Sequence, residues 1–235
     1  IAIGQYTMRG LTSGTQNVAI GHNALTLTTT SSNLVAIGTD ALTANTTGAY
    51  NTAIGYQALA ANTTGANNTA IGYLAGAAIT TGVNNVAIGA NALKLATANS
   101  TNVAIGQNAL QSATTGGYFG FGLNVAVGAG SMNNLTTGFF NTAVGVGSLA
   151  TATTAASNVA IGFYALKVST ASSNIAIGYN ALLANTTGSS LVAIGTSALA
   201  ANTTGTDNLA IGASALNANT TGVRNLAIGT SASLL

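Results

Sequence analysis

The sequence predicts an all-β fold, a parallel β-solenoid (β-roll) of about 14 coils of 17 residues each. A tripeptide Ala-Ile-Gly or Ala-Val-Gly recurs 14 times, and successive motif glycines are 17 residues apart, except for one interval of 22 and one of 16. A helical solenoid needs longer units with charged outer faces, which these units lack. We therefore expect residues 1–235 to form a single repeat domain. The motif glycines are Gly4, Gly21, Gly38, Gly55, Gly72, Gly89, Gly106, Gly128, Gly145, Gly162, Gly178, Gly195, Gly212 and Gly229.

Each unit is predicted to contain two short strands and two turns. Counting from the motif glycine as position 0, the consensus is N-x-A-I-G-x-x-A-L-x-x-N-T-T-G-x-x. The segment N-V-A-I-G predicts the first strand, and the segment around A-L-x-x predicts the second. The N-T-T-G segment predicts a turn in which glycine supplies a positive φ and asparagine tolerates one.

Two neighbouring columns of the repeat predict a second packed surface. Position −2 is Ala in all 14 units and position −1 is Ile or Val in all 14. Adjacent strand residues point to opposite faces, so we expect Ile to fill the core and Ala to face outward. An outward Ala that never varies indicates a parallel homo-oligomer, although a loop of the same coil could also keep it small. The predicted oligomer contacts are Ala36, Ala53, Ala70, Ala87 and Ala104.

Asparagine occupies position −4 in most units, which predicts an in-register ladder of side-chain amides bonded from coil to coil. We expect a structural role for this ladder, whose clearest members are Asn51, Asn68, Asn85 and Asn102. The N-T-T segments also match the glycosylation acceptor pattern. The repeat itself creates that match, so it carries little weight as evidence for glycosylation.

Composition excludes several classes of partner. Only 3% of residues are charged, the net charge is +2, and there is no Cys and no Pro. The cations are separated by several coils, so we expect no nucleic-acid surface. Mean hydropathy is +0.48, yet no apolar run approaches the roughly 18 residues of a membrane span, so we expect no membrane insertion by this segment.

The residues needed for catalysis are missing, which predicts that the chain is not an enzyme. It contains no Glu, and Asp40 and Asp207 are nine coils apart, about 43 Å at roughly 4.8 Å per coil. A carboxylate pair for glycoside cleavage needs about 5 to 10 Å. His22 is the sole histidine, so no metal site or Ser-His-acid set is expected. We expect no cofactor.

One irregular turn is the best candidate for ligand binding. The segment 117–123 lies in the 22-residue interval and is aromatic where other turns are small and polar. Loops on a rigid scaffold often carry recognition, and aromatic rings offer flat surfaces to sugars or partner side chains. The alternative is a loop that folds back on the coils or packs between protomers. The candidate residues are Tyr118, Phe119 and Phe121, with Phe139 and Phe140 one coil later.

The repeat N-x-A-I-G-x-x-A resembles the head repeats of YadA-like trimeric autotransporter adhesins. The longer unit, as in residues 51–65, resembles repeats in bacteriophage tail fibres and bacterial surface adhesins. The resemblance covers essentially the whole chain and implies a left-handed parallel β-roll, a tight homotrimer and an extracellular role in attachment. Seventeen residues per coil is longer than the usual head unit, and the family's neck, stalk, anchor and fibre chaperone domain are absent from this segment, which we expect to be a fragment of a longer fibre.

These observations predict a non-enzymatic, extracellular fibre shaft or head on a cell surface or a virion, acting as a rigid trimeric spacer for multivalent display. A host-surface glycan or protein would be its ligand. One alternative is a self-assembling structural filament whose solenoid ends stack. An ice-binding protein is another, since Thr fills position +8 in all complete turns. Position +9 is usually also Thr and would point to the opposite side of an extended segment, which weakens that alternative.

Overall fold

The computed structural model describes residues 1–114 and 122–233, and these form strands and turns with no helix. The chain divides into two compact units, Ile1–Leu123 and Asn124–Leu235. Unit 1 contains β1 Ala2–Ile3, β2 Val18–Ile20, β3 Val35–Ile37, β4 Thr52–Ile54, β5 Thr69–Ile71, β6 Val86–Ile88 and β7 Val103–Ile105. Unit 2 contains β8 Val125–Val127, β9 Thr142–Val144, β10 Val159–Ile161, β11 Ile175–Ile177, β12 Val192–Ile194, β13 Leu209–Ile211 and β14 Leu226–Ile228.

Within each unit every strand pairs in parallel with its neighbours in chain order, and equivalent positions of successive coils face each other. Ala53 pairs with Ala70 and Ile54 with Ile71, for example. The backbone N–H of Gly55 donates to the carbonyl of Ile37 in the preceding coil at 2.7 Å. The predicted parallel β-solenoid is thus confirmed. Its handedness, its oligomeric state and its description as a single domain stay predictions.

The assignment of the two strand faces is wrong. Ala53 and Ala70 are 0% exposed within the single chain, whereas Ile54 is half-buried and Ile71 is 36% exposed. The Ala column therefore fills the interior of the coil, and the Ile or Val column points outward. A side chain with no accessible surface in one chain cannot contact a second chain. The predicted oligomer contacts are withdrawn for this reason: Ala36, Ala53, Ala70, Ala87 and Ala104.

The interior of each coil is narrow and is shared by a few columns. Besides Ala at −2, it contains Ala or Ser at +3, mostly Leu at +4, and a mixed column at +7, and these side chains are almost fully buried. One coil shows how tightly volume is conserved. It has Gly76 at +4 and Ile79 at +7, and a Cβ placed on Gly76 would lie 3.1 Å from Cδ1 of Ile79. The larger side chain at +7 thus fills the space that a Leu occupies elsewhere.

The A-L segment is not the second strand that the sequence predicts. Positions +2 and +4 have positive φ, as at Asn23 (56°) and Leu25 (54°), so the chain curls instead of extending. Its backbone still bonds between coils, since the N–H of Leu25 donates to the carbonyl of Ala41 at 3.1 Å. The segment therefore keeps inter-coil hydrogen bonds while turning a corner.

Glycine has a different purpose in the two turns. Gly21, at position 0, has φ +135°, and a Cβ there would lie 2.6 Å from the carbonyl oxygen of Gly38 in the next coil. Gly65, in an N-T-T-G turn, has no positive φ, contrary to the prediction. A Cβ on Gly65 would collide with the carbonyl oxygen of Gly82. That glycine is needed because successive coils approach each other closely.

The corrected face assignment predicts that a substitution at an interior position lowers the stability of the fold, whereas one at the adjacent outward position hardly changes it. Ala53→Leu inserts a large side chain into the interior and should lower the free energy of unfolding by about 1–3 kcal/mol. Thr52→Val changes an outward position at which other coils already have Val, and should shift it by no more than about 0.5 kcal/mol. Denaturant unfolding followed by circular dichroism measures both. A tolerated Leu at position 53 would contradict the interior placement of Ala.

Candidate functional site

An apolar stripe lies on the outside of each unit. It consists of positions −3 and −1 of the strands and is called the aliphatic face below. Position −3 is Val, Thr, Ile or Leu, and position −1 is Ile or Val. Ile71 and Val144 are each 36% exposed although an Ile or Val of each neighbouring coil pairs with them in register. Their remaining exposed surface is therefore lateral, directed away from the coil interior.

The aliphatic face is regular, whereas the turn that contains N-T-T-G is not. Both departures from 17 residues fall between position +8 and the Asn at −4, in the intervals that start at Thr114 and Thr170. In the shorter interval the turn is tightened, with the hydroxyl of Ser169 accepting the N–H of Ala171 at 3.1 Å. Length changes are thus tolerated at this turn and absent from the strand and its outward stripe.

The asparagines of position −4 form a buried ladder. In Asn85 the backbone N–H and the side-chain Nδ2 both donate to Oδ1 of Asn68 at 3.0 Å. Nδ2 of Asn85 also donates to the carbonyl of Asn99 at 2.8 Å. The same backbone contact joins Asn68 to Asn51 and Asn102 to Asn85. These amides satisfy polar backbone groups inside the coil and offer no binding surface.

Four of the N-T-T asparagines, Asn45, Asn62, Asn185 and Asn202, are also interior. Nδ2 of Asn62 donates to Oδ1 of Asn45 at 2.9 Å, and both residues are 0% exposed. Nδ2 of Asn202 likewise donates to Oδ1 of Asn185 at 3.0 Å. A glycosylation acceptor has to be reached from solvent, so these positions are not acceptors in the folded chain.

An exposed cluster of rings and a cation lies in the first coils of unit 1. The guanidinium carbon of Arg9 is 5.7 Å from the ring centroid of Tyr6. The imidazole of His22, in the next coil, meets the Tyr6 ring edge-to-face with centroids 5.8 Å apart. Tyr6 is 49% exposed, so this group is accessible from solvent.

A second cluster of the same kind lies in unit 2. Nζ of Lys167 is 4.1 Å from the ring centroid of Tyr164. The Tyr164 ring lies 4.0 Å from that of Phe163, which stacks on Tyr179 in the next coil at 5.6 Å and 9°. A Cβ on Gly147 would collide with the Tyr164 ring, so glycine at that position allows the ring to lie against the coil below it.

Sequence analysis missed these clusters, although two signals could have found them. Aromatic residues at +1 in consecutive coils stack, as Tyr56 and Tyr73 do at 5.5 Å and 12°. In addition, Tyr at +2 recurs with a cation at +5 in the same coil. The predicted ligand residues Tyr118, Phe119 and Phe121 lie outside the described residues. Phe139 and Phe140 contact each other edge-to-face at 5.2 Å, and their role in binding stays a prediction.

The charged side chains that the structure describes form no ion pairs. Oδ1 of Asp40 accepts Nδ2 of Asn23 at 3.0 Å, and Oδ2 of Asp40 faces Nε2 of Gln57 at 3.4 Å. Asp207 accepts the hydroxyl of Thr206 at 3.1 Å. In residues 1–114 and 122–233 no group of three or more His, Cys, Asp or Glu could hold a metal ion.

One small concave site lies near the end of the described residues. A cavity of about 160 Å³ is lined by Leu216, Ala218, Asn219 and Ser233, whereas small-molecule pockets commonly measure about 300–1,000 Å³. No helix in the described part of the chain is long and apolar enough to cross a membrane. The candidate sites are therefore the aliphatic face and the two aromatic–cation clusters on the surface.

Comparisons with protein-family models, with curated proteins and with solved structures find no match to this chain. The function has to be inferred from the fold and from these surfaces.

The Asn ladder predicts an uneven sensitivity to loss of an amide. Asn68→Ala removes the acceptor of the Asn85 N–H and a donor to the Gly82 carbonyl, which should cost about 1–3 kcal/mol for the buried groups left unpaired. Asn217→Ala is the matched control, because Asn217 is exposed. Thermal unfolding measures both variants. Equal melting temperatures would show that the ladder does not stabilise the coils.

Proposed function

We propose that this chain is a non-enzymatic, extracellular attachment fibre, a shaft or head of a surface adhesin or a phage tail fibre, built as a parallel homotrimer. A β-solenoid is compatible with a structural fibre or filament. The observation that carries the proposal further is the aliphatic face, an outward row of Ile and Val that every described coil retains. Parallel sheets are usually covered on both faces, and here only the inner face is covered by the chain itself.

A second copy of this chain is the partner that best fits the aliphatic face. Its apolar side chains recur once per coil, at the roughly 4.8 Å spacing of stacked strands. A partner that packs against each of them in turn needs the same axial repeat, and this chain has it. The turn that contains N-T-T-G varies in length while the strand does not, which is expected if the strand is covered and the turn is free.

Assembly in parallel would give the fibre its mechanical and multivalent properties. Backbone bonds and in-register side chains hold successive coils of a unit together. Three copies would present each surface feature three times, so a weak contact with a host surface gains avidity. The resemblance to trimeric adhesin heads supports the number three.

Ice binding receives one observation in favour and two against. Thr46 and Thr47 lie in a bend and not in an extended strand, and both are accessible to solvent, so strand alternation does not direct positions +8 and +9 to opposite sides. However, the hydroxyl of Thr46 already donates to the carbonyl of Thr63 at 3.0 Å. Both length changes also follow directly after this Thr column in the sequence, where a regular array would be needed. The attachment fibre is therefore the better supported function.

The oligomer is tested by mass. Purified chain should have three times the 22.7 kDa mass of one chain in light scattering after size exclusion. Replacing Ile37, Ile54 and Ile71 together by Asp should reduce the mass to that of one chain, because carboxylates cannot be buried unpaired at the contact. The circular dichroism of the coils should be retained.

The control replaces Thr47, Thr64 and Thr81 by Asp, which places the same three charges in the same coils at exposed positions. This variant should keep the mass of the unmodified protein. If the Ile→Asp variant does not fold, Ile→Thr at the same three positions retains strand propensity and should raise the dissociation constant. A monomeric unmodified chain, or equal masses for both sets of folded variants, would refute the assembly.

A further inference from the structure

The same aromatic–cation arrangement occurs once in each unit. In both places a Tyr at position +2 lies beneath a cation at position +5 of the same coil, as Tyr6 with Arg9 and Tyr164 with Lys167. The chain has one more cation at +5, Lys94, and its coil has Asn91 at +2 instead of a ring. The two pairs are therefore local features that the coil repeat itself does not require.

Each pair adjoins a further exposed ring. His22 flanks the first pair, and Phe163 with Tyr179 flanks the second. Tyr179 is 52% exposed and Phe163 is 41% exposed. These rings do not contribute to the interior of the coil. They form an exposed aromatic surface beside a positive charge, stacked in unit 2 and edge-to-face in unit 1, on a scaffold whose backbone is fixed by inter-coil bonds.

In the described ranges of the chain, no carboxylate forms an ion pair with the cation of either pair. Asp40 and Asp207 are the only carboxylate side chains of the chain, and their oxygens accept hydrogen bonds from neutral groups. A cation–π contact leaves the N–H donors at the rim of Arg9 and Lys167 able to bind an anion. An anionic group that also has an apolar face is complementary to this combination.

We propose that both clusters are binding sites for an acidic saccharide, in which a pyranose ring carries a carboxylate. The C–H groups of the sugar would pack against the exposed parts of the Phe163 and Tyr179 rings, while its carboxylate accepts a charge-assisted hydrogen bond from Lys167. Tyr6, His22 and Arg9 form the equivalent site in unit 1. The inference deepens the attachment function proposed above and rests on it only for its biological purpose, since two weak sites per chain suit multivalent binding.

The test is calorimetric titration of the whole chain with trigalacturonate and, separately, with 3′-sialyllactose. At least one should bind at two sites per chain, and its uncharged counterpart, the methyl-esterified trisaccharide or lactose, should bind at least about tenfold more weakly. Lys167→Gln and Arg9→Gln should each remove one of the two sites. Phe163→Ala should weaken the unit 2 site with no change in folding.

Lys94→Gln is the matched control, because it removes the same charge from the same column where no ring lies beneath it. It should leave binding unchanged. The proposal is overturned if neither acidic saccharide binds, if the neutral counterparts bind equally well, if a hexaglutamate peptide binds as tightly, or if Lys94→Gln weakens binding as much as Lys167→Gln does. Light scattering on the same samples separates the two proposals. A monomer that binds the saccharide refutes only the assembly, and a trimer that does not bind it refutes only the site.

Discussion

Stacking of successive coils in register is the constraint on which the rest of this structure depends. Most backbone hydrogen bonds outside the turns join successive coils, as between Gly55 and Ile37. Each coil therefore has to place its backbone donors and acceptors opposite the acceptors and donors of its neighbours. Any side chain that separates two coils breaks these bonds. Position 0 is therefore glycine, since a Cβ at Gly21 would strike the carbonyl of Gly38. Uniformity inside the coil is a requirement of backbone geometry.

The period of the sequence was sufficient to predict this stacking, because a fixed interval places like residues in neighbouring coils. Strand location, parallel order and the Asn ladder all follow from it. The faces of the strand did not follow. Alternation requires Ala53 and Ile54 to lie on opposite sides, but it does not say which side is inner. The prediction assumed that a large apolar residue fills the core. In a coil this narrow, Leu at +4 already occupies the interior, and only a methyl group fits opposite it.

The second strand was predicted wrongly and the aromatic–cation clusters were missed, for different physical reasons. Leu25 adopts a positive φ, which is unfavourable for a branched apolar residue in isolation, so propensity rules do not predict it. Tertiary context decides it, because the left-handed residue places Leu in the interior while its N–H reaches the next coil. The clusters were missed because the consensus records only the commonest residue of each column. Tyr6 and Arg9 are informative as deviations from their columns, three residues apart on one corner of one coil.

A repeat of this kind separates structural information from functional information by column. Interior positions are constrained by stacking and are buried, so they cannot contact a ligand. Outward positions divide into two groups. The aliphatic face keeps Ile or Val at position −1 in every coil, as expected if the proposed assembly covers it, whereas the residues around Tyr164 are unlike those of neighbouring coils. A partner with the same period would be recognised through the uniform columns, and a ligand without that period through the deviations. Both kinds of recognition can therefore be carried on one coil without competing for the same residues.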